Sequence, residues 1–411
     1  MKGNVIVGQS GGPTAVINSS LAGVYRTAVD RGAKKVYGML YGIQGLLDEQ
    51  YVDLSKYIRS DLDVEILKRT PSAFLGTCRY KLPDIHENQE IYVKIFEILN
   101  KLNIECFIYI GGNDSMDTIK KLSDYAILTG QSQKFVGVPK TIDNDLALTD
   151  HTPGYGSAAK YIATSTKEVI RDGIGFSYKK QQVIVIEIMG RNAGWLTGAA
   201  ALSRGEDCDG PDLIYLPELT FDIEKFTAKV RKLLEKKDVV VVAVSEGIRI
   251  KDGRYVSELG SASDYVDAFG HKQLTGTASY LANVIHRDIG CKTRAVEFST
   301  LQRSAAHLAS RVDVNEAFMV GGAAVKAADE GDSGKMVVID RVSDDPYQCA
   351  TGIYDVHKIA NGEKMVPREW ITKDGTYVTE EFIDYVRPLI QGDSPSVMVD
   401  GIPRHLYMGK K

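Results

Sequence analysis

Two stretches of the chain, VIVIEI at residues 183–188 and VVVVAV at 239–244, are apolar at nearly every position rather than at every second one. A strand with one face in water alternates apolar and polar residues, whereas a strand apolar throughout is buried on both faces, as central strands of parallel sheets are. Parallel neighbours must be joined by a long crossover, normally a helix. The chain supplies such crossovers along most of its length. Strands are predicted at NVIVGQS (4–10), CFIYI (106–110), KFVGV (134–138), DLIYL (212–216), TRAVEF (293–298) and KMVVID (335–340). Between them, helical spacing predicts helices from Pro13, in the first turn, to about Arg31, and over 87–102, 156–172, 194–204, 222–237, 276–289 and 315–331. Weaker signals mark the last seventy or so residues. The fold class is therefore α/β, and ligands are expected in the loops that leave the carboxyl ends of the strands.

Composition narrows the function. With 411 residues, 44% hydrophobic and 25% charged, the chain can bury two cores. Its formal net charge is -4 and its basic residues are scattered, which speaks against nucleic-acid and membrane surfaces. The cysteines (Cys78, Cys106, Cys208, Cys291, Cys349) are odd in number and lack a CxxC pair, so neither a disulfide framework nor a zinc site is expected. The opening MKGNVIVGQSGGPTAVINSS is read as neither leader nor anchor, and a cytoplasmic enzyme acting on small molecules is expected.

The strand-end loops carry the chemistry. GQSGGPT (8–14) can turn backbone N–H groups toward an anion, although it matches neither the Walker motif nor GxGxxG. GGNDS (111–115) is a second glycine turn with Asn113 and Asp114 at its mouth, residue types that also cap helices through a side-chain oxygen. PKTIDNDLALTDHTPGYGSA (139–158) offers Lys140, Thr141, Asp143, Asn144, Asp145 and Asp150. EIMGRNAGW (187–195) places Arg191 in a glycine-flanked turn suited to bidentate phosphoryl contacts, and SEGIR and TRAVEFSTLQRSA add Glu246, Arg294 and Arg303. Carboxylates for a base and a metal, with cations for phosphates, make the set that phosphoryl transfer requires.

In this order, GGNDS, PKTIDND, MGR, SEG and LQR resemble the phosphofructokinase family, the likeness running from residue 4 to beyond 303. In that family, enzymes using ATP carry glycine at both variable positions of the first two motifs, and those using pyrophosphate carry Asp and Lys. Asp114 and Lys140, with the opening GQSGGPTAVIN, resemble the pyrophosphate class. A carboxylate at Asp114 would repel a nucleotide's α-phosphate.

The resemblance implies two Rossmann-like domains with mostly parallel sheets and the active site in the cleft between them. Residues 1–154 plus about 304–360 would bind pyrophosphate and Mg²⁺, and 155–303 plus about 361–411 the sugar phosphate. Asp143 would take the proton of the 1-hydroxyl of fructose 6-phosphate. Lys140, Asp114 and Arg191 would complete the catalytic set, with Thr141 and Asp145 supporting it. Gly12 and Arg79, with Lys81 close by, would hold the donor. Met189, Gly190 and Glu246 would hold the sugar, and Arg294 and Arg303 its 6-phosphate. The family forms homodimers or homotetramers. This chain departs from the family pattern in three places: Asn113 stands where a metal-associated carboxylate is expected, leaving Asp114 or Asp143 to help; Gln182 replaces a cation that reaches a neighbouring subunit; and Thr300 replaces a histidine. The alternatives are an ATP-dependent 6-phosphofructokinase, with Asp114 only a helix cap, and more distantly a dinucleotide-binding protein.

Overall fold

The computed structural model describes residues 1–260, 274–359 and 362–409. Its strands are β1 (Asn4–Gln9), β2 (Val36–Met39), β3 (Tyr51–Asp53), β4 (Ile104–Gly111), β5 (Lys134–Pro139), β6 (Gln182–Ile188), β7 (Leu213–Tyr215), β8 (Val239–Ser245), β9 (Lys292–Glu297), β10 (Lys335–Asp344) and β11 (Tyr347–Asp355), followed by a short pairing of Met398–Val399 with Ile402–Pro403. They form a seven-stranded sheet in the order β11-β10-β5-β4-β1-β2-β3 and a four-stranded sheet in the order β7-β8-β6-β9. The first is parallel except at its edges, where β3 and β11 run antiparallel to their neighbours. The second is parallel throughout.

The uniformly apolar runs are buried on both faces. In β6, Val183 and Val185 enter one core while Ile184, Ile186 and Ile188 enter another, and β8 divides its valines the same way. β4 does likewise in the first sheet, with Cys106, Ile108 and Ile110 opposite Phe107 and Tyr109. The one charge in VIVIEI, Glu187, is also buried and accepts the Ala278 N–H at 2.8 Å, at the start of the helix Thr277–Ile289. Burial pushes its carboxyl up to about 7.

Strand order locates the cleft. From β1 the chain goes to β2 on one side and later returns to β4 on the other, so the loops after β1 and β4 diverge and open a crevice at a topological switch point. GQSGGPT and GGNDS are those two loops. In the second sheet β6 lies between β8 and β9, so MGR, SEG and the LQR segment end side by side.

Several elements differ from expectation. The first helix is Ile17–Asp30, with Pro13 four residues before it in the loop. The segment 194–204 divides into a short α-helix, Trp195–Gly198, and a 3-10 turn, Ala199–Ser203. KMVVID is the start of a ten-residue strand that reverses into β11. The helix Tyr155–Gly175 has no local side-chain cap; Asp313, from the helix Arg311–Glu330, accepts the N–H groups of Gly154 at 2.9 Å and Ser157 at 2.8 Å instead. The division expected at residue 154 falls just before that helix and the one at 303 inside the helix Leu301–Ser304. The division at 360–361 lies outside the described residues.

Candidate active site

Lys140 follows the last residue of β5 and is 3% exposed, its ammonium donating to the Gly12 carbonyl at 2.8 Å. That bond ties the PKTIDND loop to the glycine loop after β1. Burial pushes the lysine down to about 8, Asp143 and Asp145 pulling it back and Arg303 and Arg79 adding to the fall.

Asp143 lies three residues on. The Thr141 hydroxyl donates to its carboxylate at 3.3 Å and accepts its backbone N–H at 3.1 Å. Next to it, Asn144 takes a left-handed φ of 55°; its side-chain oxygen accepts the Thr152 N–H at 3.0 Å and its amide donates to the Tyr385 hydroxyl at 2.9 Å. This bend aims Asp143 into the cleft, where burial raises its carboxyl above the usual range while Lys140, Arg191 and Arg303 oppose the rise. Burial and the charge of Asp143 lift Asp145 to about 7.

The second sheet supplies the facing wall. The Ser245 hydroxyl donates to the Gly190 carbonyl, the Gly190 N–H reaches the Glu246 carboxyl at 3.4 Å, and the Met189 N–H donates to Gln302 at 3.2 Å. The MGR, SEG and LQR motifs are thereby bonded to one another. Gly247 is obligatory here, because a Cβ on it would lie 2.0 Å from the Arg191 carbonyl. Burial pushes Glu246 up to about 8, against the Gly190 N–H it accepts. Arg303 reaches across toward the glycine loop, with Nη1 3.4 Å from where a Gly12 Cβ would stand and a buried, unpartnered Nε.

Lys140, Thr141, Asp143, Asp145, Met189, Arg191, Glu246 and Arg303 line a cleft of about 530 Å³, into which Arg79, Lys81, Asn113 and Asp114 also face, while Gly190, Ser245 and Gln302 support its wall from behind. Asn113 and Asp114 open the helix Asn113–Thr129, but neither side chain caps it, so the capping role is excluded. The turn is close-packed: a Cβ on Gly111 would fall 1.8 Å from the Ser115 hydroxyl, which donates to Ser10 at 2.9 Å across the two loops. Asp114 is exposed at the mouth, whereas the Asn113 side-chain oxygen is buried without a hydrogen-bond partner. A buried orphan oxygen beside a carboxylate suits a cation whose other ligands are phosphate oxygens and water.

Arg294 is not brought to this cleft. It sits on the outward edge strand β9 and pairs with Asp172 at 3.1 Å, since an edge strand has one side facing away from its own domain. Gln182 is consumed internally, donating to the Gly173 carbonyl at 2.9 Å. Among the lining residues not singled out from sequence are Asn192 and Glu363, joined at 3.1 Å. Asn192 adjoins MGR and was within reach of a motif argument; Glu363 arrives from a C-terminal segment without motif. Among the described residues no group of three acidic, histidine or cysteine side chains is arranged around a metal, and no helix is long and apolar enough to cross a membrane.

Residues 4–328 match the phosphofructokinase family profile. The chain belongs to the phosphofructokinase family. Similar relatives are named pyrophosphate--fructose 6-phosphate 1-phosphotransferase: one from Xanthomonas campestris pv. campestris is 43% identical, covering 99% of this chain and 96% of the relative. Another, from Halomonas elongata, is 41% identical over 99% of this chain and 96% of the relative. The crystal structure of a pyrophosphate-dependent phosphofructokinase from Nitrosospira multiformis superposes with a TM-score of 0.88 at 37% identity, covering 98% of this chain and 95% of that one. In this phosphofructokinase the glycine loops, PKTIDND and MGR line one cleft, with Asp114 and Lys140 among its residues.

Proposed function

We propose that the chain transfers a phosphoryl group from inorganic pyrophosphate to the 1-hydroxyl of fructose 6-phosphate, reversibly, giving fructose 1,6-bisphosphate and phosphate. The observation that carries this reading is the buried Lys140 ammonium tied to Gly12, on the same cleft as Asp114. A compact donor with several charges and no nucleoside needs concentrated positive charge at its phosphates. Arg79, Lys81, Lys140 and Arg191 provide it. A carboxylate at Asp114 stands at the mouth against a longer polyphosphate, since anions facing one another in a partly desolvated cleft repel strongly.

Asp143 is the general base, accepting the hydroxyl proton as the sugar oxygen attacks, an effect of about two to four powers of ten. Thr141 fixes its carboxylate. Lys140 and Arg191 balance charge on the transferring group, and Gly12 and Arg79 hold the phosphate left behind. Met189, Gly190 and Glu246 hold the sugar, with Arg303 at its 6-phosphate. Mg²⁺, bound by Asn113 and Asp114 with donor oxygens and water, would neutralise pyrophosphate charge and orient it. The domain holding the first sheet serves the donor and the other the sugar. The enzyme is cytoplasmic and works as a homodimer or homotetramer.

A coupled assay with Mg²⁺ and fructose 6-phosphate tests the reading. Turnover with pyrophosphate at least a hundredfold above that with ATP is expected; turnover with ATP alone overturns it.

A further inference from the structure

Behind PKTIDND lies a buried charged cluster that the chemistry above does not use. His151 is 1% exposed, and both ring nitrogens face carboxylates: Nδ1 lies 2.8 Å from Asp150 and Nε2 lies 2.7 Å from Glu316. Each carboxylate has a further donor. Arg341, on β10, gives two N–H groups to Asp150 at 3.0 and 3.1 Å. On β11 the Tyr347 hydroxyl donates to Glu316 at 2.6 Å, and the Cys349 thiol donates to the same oxygen at 3.1 Å. From the C-terminal segment Lys364 and the Tyr385 hydroxyl donate to the Asp150 carbonyl.

Against burial, His151 first and then Arg341 at Asp150 and Tyr347 and Cys349 at Glu316 hold both carboxyls below their ordinary range. A neutral imidazole has one N–H and would turn a lone pair toward one of two buried anions at hydrogen-bond distance, whereas the imidazolium donates to both and, with Arg341, balances their charge. Burial alone disfavours that cation, but Glu316 and Asp150 outweigh it and lift His151 to about 9.

The next residue connects the cluster to the chemistry. The Thr152 hydroxyl donates to the Thr141 carbonyl at 2.8 Å and its N–H to Asn144 at 3.0 Å, so Thr152 grips the chain on either side of Asp143. Glu316 anchors His151 to the helix Arg311–Glu330, whose Asp313 binds Gly154.

We propose that His151 is a positioning residue: held as an imidazolium between Asp150 and Glu316, it fixes the loop from Thr141 to Thr152 and through it the aim of the Asp143 carboxylate. The assignment of Asp143 as base rests on the function proposed above; the protonation of His151 does not.

Nitrogen-15 spectra of histidine-labelled full-length enzyme, with His151 assigned by comparison with His151→Gln, test the first half. Two ring N–H groups retained through pH 8 are expected, and a neutral tautomer at pH 7 overturns the proposal whatever the enzyme's activity. His151→Gln should lower kcat by about tenfold to a hundredfold while KM for pyrophosphate and for fructose 6-phosphate stays within about threefold, because aim and not binding is lost. Adding Glu316→Gln, which removes the anion left unbalanced, should restore kcat at least threefold. Full kcat in His151→Gln, or simple additivity in the double variant, overturns the positioning role. If Gln at 151 prevents folding, Glu316→Gln carries the test: His151 should lose its second ring proton at a pH lower by a unit or more, with reduced kcat, and an unchanged titration refutes the clamp.

Discussion

The Lys140 ammonium donates to the Gly12 carbonyl at 2.8 Å, joining the loops after β1 and β5, so one bond ties two walls of the cleft together and places a charge between them. Its pKa of about 8 lies below the ordinary lysine value. As pH rises through that value the free enzyme loses the charge, and kcat/KM for pyrophosphate is expected to fall about tenfold per pH unit above about 8. Lys140→Met should abolish this alkaline limb and lower kcat/KM at neutral pH by about a hundredfold or more. A limb that persists in the variant assigns it to another group.

The same lysine sets stability against function. A base whose folded pKa lies below its unfolded value is costly to bury while charged, so the penalty is full below about pH 8 and disappears as pH rises to the unfolded value. The fall from 10.5 to about 8 corresponds to about 3 kcal/mol. Lys140→Met is therefore expected to raise Tm by several degrees at pH 7 and by progressively less toward pH 10, measurable by calorimetry in parallel with the lost activity.

Asp143→Asn should reduce kcat by about two to four powers of ten while leaving Tm within a few degrees. It has a second signature. Asp143 raises both Asp145 and Lys140, so without its charge Asp145 should ionise at lower pH and Lys140 should lose its proton below about 8. Residual activity is accordingly expected to show an alkaline limb displaced to lower pH, and an undisplaced limb would disconnect the two groups.

Asp114 is exposed at the cleft mouth and caps nothing, so Asp114→Gly removes charge without uncapping its helix. Weaker use of pyrophosphate and measurable ATP binding by calorimetry are expected. Unchanged pyrophosphate kinetics with no ATP binding would show that donor choice is made elsewhere.

How much of this was legible in the sequence follows from range. Apolar runs reveal central strands because burial on both faces is a local property, and VIVIEI and VVVVAV are such strands. PKTIDND and MGR are legible because each is a contiguous strand-end loop. What depends on a distant partner is not. The helix Tyr155–Gly175 is capped by Asp313, far along the chain, and Glu363 enters the cleft from a segment whose own pattern is weak. Arg294 fits its motif yet faces outward, because the motif fixes the strand and not which way its sheet edge looks. Asn113 and Asp114 occupy a capping position in sequence, but the helix begins at Asn113 itself and Gly112 takes the cap position.

The wall that would receive the sugar offers the sharpest steric test. A Cβ at Gly247 would lie 2.0 Å from the Arg191 carbonyl and 2.7 Å from that of Gly190, and backbone atoms cannot rotate away as a side-chain tip can. Gly247→Ala must therefore push MGR and SEG apart, disturbing the Gly190 contacts with Ser245 and Glu246. The expected result is a rise of about tenfold or more in KM for fructose 6-phosphate, a smaller change in KM for pyrophosphate because Lys140 and Gly12 are untouched, and a Tm lower by several degrees. Gly175→Ala is the control: its Cβ would meet nothing within 4 Å, at the end of a helix, so activity and Tm should hold. Equal losses for both substrates in Gly247→Ala would show that the two walls of the cleft respond as one unit.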